Sequence, residues 1–138
     1  MLRILLACLV IGLSAPLAMA QEVLPPNPDI EATIAGQFDA FRSGDVPEAW
    51  SYASPNIQRL FQSPDNFARM VQQGHPMVWQ PGEVDFIDLQ SLSGLIVQRV
   101  QVIDAQGRVF YLGYAMIQTE SGWRINGVQL LPAPDVAA

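Results

Sequence analysis

The sequence predicts an α+β fold in which N-terminal helices pack on a curved antiparallel β-sheet. Apolar residues recur at helical spacing through most of residues 28–76, and from residue 84 onward they alternate with a period of two. The strand-like segments are joined by short turns that contain Ser or Gly, which forces antiparallel hairpins. Helices that precede a meander of strands are typical of the α+β class.

Residues 1–20 have the layout of a secretory signal peptide. Arg3 gives a short positive region, residues 4–13 form an apolar run, and the Ala-Met-Ala of residues 18–20 is a cleavage site before Gln21. The run is about half of the roughly 20 residues that span a membrane. We expect an exported protein, periplasmic if the source is Gram-negative and otherwise secreted, which meets the membrane only transiently through this peptide. An uncleaved anchor and lipoprotein processing at Cys8 are the alternatives.

The rest of the chain is predicted to form one domain. Residues 21–27 read as an extended leader, residues 28–132 as the domain and residues 133–138 as a disordered tail. The chain carries a net charge of −6, with 7 basic and 13 acidic residues. This balance argues against nucleic acid as a partner, because such a partner requires a basic face.

Four helix-start signals lie between residues 27 and 65, each a capping residue with proline one or two positions later, and the second also resembles a capping box with Glu48 at its third position. They are Asn27-Pro28, Asp45-Val46-Pro47, Ser54-Pro55 and Ser63-Pro64. The first opens a helix whose apolar stripe is Ile30, Ile34, Phe38 and Phe41. The other three predict short helices, and Gly74 is the expected left-handed cap at the end of the last.

Four strands are predicted after the helices. Val84, Phe86 and Asp88 share one face of the first, and residues 95–104 form a second strand rich in Val and Ile. Residues 108–119 and 123–131 complete the meander, and turns lie at residues 91–94, 105–107 and 120–122.

The composition excludes several chemistries. No Lys occurs, and the single Cys lies within the predicted signal peptide, so no Schiff-base lysine or thiolate nucleophile is expected. One histidine, His75, cannot build a multi-histidine metal site. We therefore expect no metal and no cofactor. Carboxylate or tyrosine chemistry, His75 acting alone, or no chemistry remain.

The weak catalytic candidates are Asp88, Tyr52 and His75. On the phase of its strand Asp88 faces the apolar side, where desolvation raises a carboxylate pKa as a general base requires; alternatively the strand reaches solvent there. Candidate pocket-lining residues are Phe38, Trp50, Tyr52, Phe61, Met70, Arg99 and Tyr114. Alternatively, the aromatic residues pack in the core, and the aliphatic part of the Arg99 side chain covers an exposed face of the sheet.

Three parts of the sequence carry a family resemblance. They are residues 40–57 (AFRSGDVPEAWSYASPNI), the group Phe61, Phe67, Met70, Val71 and Gly74, and the closing residues 123–128 (WRINGV). Together they resemble the bacterial family known as domain of unknown function 4864, which is similar to the nuclear-transport-factor-2-like (NTF2-like) superfamily. The resemblance covers residues 28–131 and implies a helical wedge on a curved antiparallel sheet, an NTF2-like cone. It implies no activity, because that superfamily includes isomerases, dehydratases, ligand binders and silent assembly domains.

These observations favour a non-enzymatic exported module that binds a small apolar or amphipathic ligand, or a protein partner. An isomerase- or dehydratase-type enzyme using a buried carboxylate and a Tyr is one alternative, and a structural domain that forms a homodimer is another. The small-ligand function requires a cavity of about 300 Å³ or more between helices and sheet. The enzyme requires Asp88, or another acid, inside that cavity.

Overall fold

The structure is a computed structural model that describes residues 21–134. The predicted signal peptide and residues 135–138 of the predicted tail lie outside the described residues. The elements are β1 (Glu22–Leu24), α1 (Pro28–Arg42), α2 (Val46–Ser51), α3 (Pro55–Phe61), α4 (Pro64–Gly74), α5 (Pro76–Trp79), β2 (Glu83–Leu92), β3 (Leu95–Ile103), β4 (Val109–Thr119) and β5 (Gly122–Leu131). Within residues 21–134, none of the helices has the length and apolar content to cross a membrane.

The strands form one antiparallel sheet in the order β1-β2-β3-β4-β5. The predicted α+β class with helices preceding a curved antiparallel sheet is therefore confirmed. The expected four-strand meander is corrected to five strands, because the leader adds β1 at the edge. Val23 of β1 lies opposite Gln90 of β2. Three residues followed by two prolines are too short to show an alternating pattern, so the sequence indicated only an extended leader.

The four predicted helix starts are all present. The Asn27 side chain accepts hydrogen bonds from two backbone N–H groups of the first turn of α1, at 3.0 and 3.3 Å. Asp45, Ser54 and Ser63 each accept one backbone N–H at 3.2 Å. Each cap satisfies a donor that the first turn of a helix leaves unpaired.

The end of α4 differs from the prediction. Gly74 is the last helical residue and its φ is not positive, so it is not a left-handed cap. His75 leaves the helix with φ −139° and ψ 61°, outside the helical region, and Pro76 opens the short helix α5, which was not predicted. Proline disfavours the helical conformation in the residue before it, so α4 ends before His75 without a left-handed glycine cap.

Helix α1 packs its apolar stripe on the inner face of the sheet. Ile30 and Ile34 are fully buried, and the ring of Phe38 lies 5.9 Å from that of Tyr114 on β4. Two irregularities interrupt the ladder, one in β2 between Phe86 and Asp88 and one in the β4–β5 pair beside Ala115. Bulges bend a sheet, and here they accompany an open, curved, cone-like arrangement around the helices.

Candidate ligand-binding cavity

A cavity of about 240 Å³ lies between the helices and β5. Helices α1, α3, α4 and α5 contribute to its wall. Its lining residues are Gln37, Ala53, Ile57, Leu60, Phe61, Phe67, Met70, Val71, His75, Val78, Ile125, Gly127 and Val128. Most of this surface is apolar, and none of these side chains carries a formal charge at neutral pH.

Helices α3 and α4 form the outer wall by ordinary helical spacing. Met70 and Val71 lie three and four residues after Phe67 on α4, so the three side chains share one face of the helix. Helix α3 contains no fully buried residue, and Leu60 at the rim of the cavity is 70% exposed. Helix α3 therefore covers the cavity as a single thin layer.

The segment that leads into α3 is fixed to β5. Ala53 forms a parallel bridge with Ile125, and the fully buried Ser54 donates its backbone N–H to the Ile125 carbonyl at 2.8 Å. The Ser54 hydroxyl also donates to Oδ1 of Asn126 at 2.7 Å. These hydrogen bonds hold the N-terminus of α3 against β5, at the point where β5 lines the cavity.

Two neutral polar side chains reach the cavity. Gln37 is 4% exposed, and its Nε2 donates to the backbone carbonyl of Ala49 at 3.2 Å. His75 is half-buried, and this burial lowers the pKa of its imidazole. Since desolvation disfavours the charged form, His75 is neutral at physiological pH and contributes hydrogen-bonding capacity without charge.

The lowered pKa of His75 predicts a pH dependence of stability. The unfolded chain protonates at the ordinary histidine pKa of about 6.5, before the folded chain does, so the free energy of unfolding should fall as the pH drops below about 7. We expect a loss of under about 1 kcal/mol between pH 7.5 and 5.5, which the His75→Gln variant should lack. Urea denaturation of both proteins across this range measures the difference. Equal pH dependence in the two proteins would show that His75 titrates in the folded chain as in the unfolded one.

Asp88 does not face this cavity, which corrects the expectation from strand alternation. The bulge after Phe86 shifts the register, so that Asp88 lies opposite Arg99. Both carboxylate oxygens accept from the Arg99 guanidinium at 2.7 Å, and Oδ2 also accepts from Gln90 at 3.2 Å. The Arg99 hydrogen bonds hold the pKa of Asp88 below its ordinary value, the opposite of the raised pKa that a general base requires.

Tyr52 lies on the helical side, away from the cavity lining. Its hydroxyl donates to Oε1 of Glu48 at 2.9 Å, and this hydrogen bond raises the pKa of the phenol. The ring approaches Gly36 so closely that a Cβ there would lie 2.6 Å from it. Gly36 therefore allows Tyr52 to pack across α1. The three catalytic candidates Asp88, Tyr52 and His75 are not brought together.

The candidate lining residues separate into three groups. Phe61 and Met70 line the cavity. Phe38 and Tyr114 are buried in the core, and Trp50 packs its ring 5.5 Å from that of Phe67, which does line the cavity. Arg99 lies on the outer face of the sheet with Asp88.

Gln37 was not among the predicted site residues. A glutamine within a helix is usually solvated, so its type gave no signal. Its position did carry one, because Gln37 follows Ile34 by three residues on the apolar stripe of α1. A polar residue on a buried helical face is the pattern that could have identified it.

Tyr114 carries a buried hydroxyl without a partner. It is fully enclosed, its Oη has no hydrogen-bond partner within residues 21–134, and burial raises the pKa of the phenol. An unsatisfied buried hydroxyl costs free energy. We expect Tyr114→Phe to raise the free energy of unfolding by about 1 kcal/mol, measured by urea denaturation. A variant less stable than the parent would show that a buried water or other group satisfies the hydroxyl.

The outer face of the sheet carries a larger, open groove. Its volume is about 630 Å³, and the small residues Gly113, Ala115 and Gly127 form part of its floor. Pro132 and Pro134, which follow β5, line one side of it. Arg99 also lines this groove, but its charge is already paired with Asp88. The groove lies on the outer face of the sheet, whereas the 240 Å³ cavity lies between the helices and β5.

Comparison with known proteins gives a family and nothing more specific. The model of the domain of unknown function family DUF4864 matches residues 24–138. No curated protein and no solved structure matches the chain significantly.

Proposed function

The chain belongs to the DUF4864 family, and from that premise we propose that it is an exported, non-enzymatic binding protein. Its ligand is a small apolar or amphipathic molecule held in the cavity between the helices and β5. The observation that carries the proposal is the lining, which is mainly apolar and supplied with two neutral polar groups, Gln37 and His75. Ligand sites commonly combine an apolar wall with a few placed polar groups.

The volume of the cavity limits the ligand. At about 240 Å³ it does not reach the volume of about 300 Å³ that we expected the small-ligand function to require. That requirement is not met, and the proposal is therefore limited to a ligand smaller than a drug-sized molecule. An apolar cavity of about 150 Å³ accommodates a single benzene ring. The ligand is therefore one ring with a short substituent, or an alkyl chain of about eight carbons.

We also propose that the protein is exported and that its fold belongs with the NTF2-like superfamily. Strand β1 begins at Glu22, two residues beyond the predicted cleavage site, so cleavage there leaves the edge strand intact. The helical wedge on the concave side of an open antiparallel sheet supports placing the fold with the NTF2-like superfamily.

The enzyme alternative has less support. It requires a carboxylate beside a tyrosine within the cavity, and within residues 21–134 no Asp or Glu lines it. Asp88 is paired with Arg99 on the other face of the sheet. Ligand binding is the function that this geometry supports best.

A titration with octan-1-ol tests the proposal. Protein produced from the full-length sequence and labelled with ¹⁵N should show saturable shifts in its amide resonances, concentrated at residues such as Val71, Val78 and Ile125. Octan-1-ol fits the volume and carries both an apolar body and a hydroxyl. Absence of saturable shifts would refute binding in this cavity, as would shifts confined to the outer face of the sheet.

A further inference from the structure

We infer that the cavity selects an uncharged ligand that carries a hydrogen-bond donor, and that the side-chain carbonyl of Gln37 receives this donor. The inference deepens the proposed function and rests on it. It assigns the chemical class of the ligand: a neutral alcohol or amide-like donor on an alkyl or single-ring body.

Among the residues that the structure describes, the lining has no group that could neutralise a charged ligand. Its polar side chains are Gln37 and His75, and the others are apolar or glycine. The nearby Arg69 lies in a separate open depression on the far side of Phe61 and Met70, which line both spaces. An ion that enters the cavity would lose its hydration without gaining a partner charge, which is costly.

Gln37 makes one side-chain hydrogen bond within residues 21–134. Its Nε2 donates one of its two N–H groups to the Ala49 carbonyl, which fixes the amide orientation, and its Oε1 accepts no hydrogen bond from those residues. Among those residues Tyr114 Oη is the one fully enclosed side-chain polar atom without a partner. Oε1 of Gln37 is therefore not fully enclosed, and Gln37 is one of the residues that line the cavity.

A carbonyl oxygen accepts but cannot donate, so its complement is a hydroxyl or N–H group. A ligand without such a donor would bury the Gln37 oxygen unpaired and would bind more weakly. The neutral imidazole of His75 can donate or accept, so it does not restrict the ligand further. The specificity for a donor thus comes from Gln37.

The test compares four probes with similar alkyl chains at pH 8: octan-1-ol, its isomer 1-methoxyheptane, octanoate and octylammonium. The two isomers have the same atoms, but the ether lacks a donor. We expect the alcohol to bind roughly three- to tenfold more tightly than the ether. We expect it to bind at least about tenfold more tightly than either ion. Amide chemical-shift titration of the full chain gives all four dissociation constants.

Two variants locate the effect. Gln37→Leu should abolish the difference between alcohol and ether while the ether affinity stays within about twofold. Gln129→Leu, which removes an exposed glutamine from β5, is the matched control and should keep the parent ratio. Should the Gln37 variant fail to fold, the four-probe comparison on the parent protein still decides the inference.

The outcomes separate the inference from the proposed function. Equal affinity for alcohol and ether, or tighter binding of either ion, would overturn the inference while binding in the cavity stands. Octanoate binding that the Arg69→Gln variant abolishes would replace it with an anionic amphiphile whose head group lies at Arg69. If none of the four probes binds, the proposed function itself fails.

Discussion

Replacing Val128 with Phe should lower the affinity for octan-1-ol at least about tenfold, because the larger side chain occupies the space that the ligand requires. Val128 is half-buried on β5 and lines the cavity. Its backbone lies opposite Tyr114, whose ring packs against Phe38 of α1. Val128 also borders the outer groove, so the loss of affinity is assigned to the cavity only if the probe shifts amides at residues such as Val71 and Val78. Since the ring enters existing space, overpacking should cost no more than about 1–3 kcal/mol of stability. Probe titration and urea denaturation measure the two effects.

Val109→Phe is the matched control for this variant. The residue change is identical, but Val109 lies on β4 at a position that is 47% exposed and outside the cavity lining. This control should bind octan-1-ol like the parent protein. Equal loss of affinity in both variants would mean that the probe does not occupy the cavity.

Phe38→Ala should lower the free energy of unfolding by about 3–5 kcal/mol. Phe38 is 1% exposed at the centre of α1, and its ring lies 5.9 Å from that of Tyr114. Removing it leaves a hole between the helical wedge and the sheet, where neighbours on both sides are already packed. This is a large part of the total stability of a domain of this size.

Phe61→Ala makes the same residue change on α3, the helix that covers the cavity, and its loss of stability is to be compared with that of Phe38→Ala. Phe61 is only partly buried on α3, although its ring lies 6.2 Å from that of Phe67. We expect a loss of about 1–2 kcal/mol, smaller than at Phe38 because less apolar surface is buried. Urea denaturation of both variants measures the contrast. A loss at Phe61 that equals the loss at Phe38 would show that α3 is part of the main core instead of a thin cover.

The helices were predictable because their signals are local. A capping side chain followed by proline acts within one turn, so Asn27 and Ser54 identify helix starts without tertiary information. Strands β3, β4 and β5 were predictable for a similar reason, since short turns and alternation determine them. β1 and α5 were missed because three or four residues carry too little periodicity.

Asp88 shows where alternation fails. One extra residue in β2 reverses every later side chain on that strand, and nothing in the run from Val84 to Leu89 marks its position. The partner Arg99 lies eleven residues away on the next strand. A bidentate pair of this kind becomes visible only when the register is known.

The cavity could not be predicted from sequence for a different reason. Apolar side chains such as Ile57, Val71 and Ile125 have the same spacing whether they fill a core or line a space. What distinguishes the two is the distance between layers, which depends on long-range contacts such as that of Ser54 with Asn126. The sequence therefore indicated that aromatic and apolar residues could line a pocket, but not where in the fold the pocket lies.

Intermolecular nuclear Overhauser effects between octan-1-ol and the methyl groups of the protein locate the bound probe. If the ligand binds in the cavity, we expect contacts from the alkyl protons to the methyl groups of Ile57, Val71, Val78 and Ile125, which line it. Contacts to the methyl groups of Leu95, Val97 and Leu131 on the outer face instead would contradict binding in the cavity.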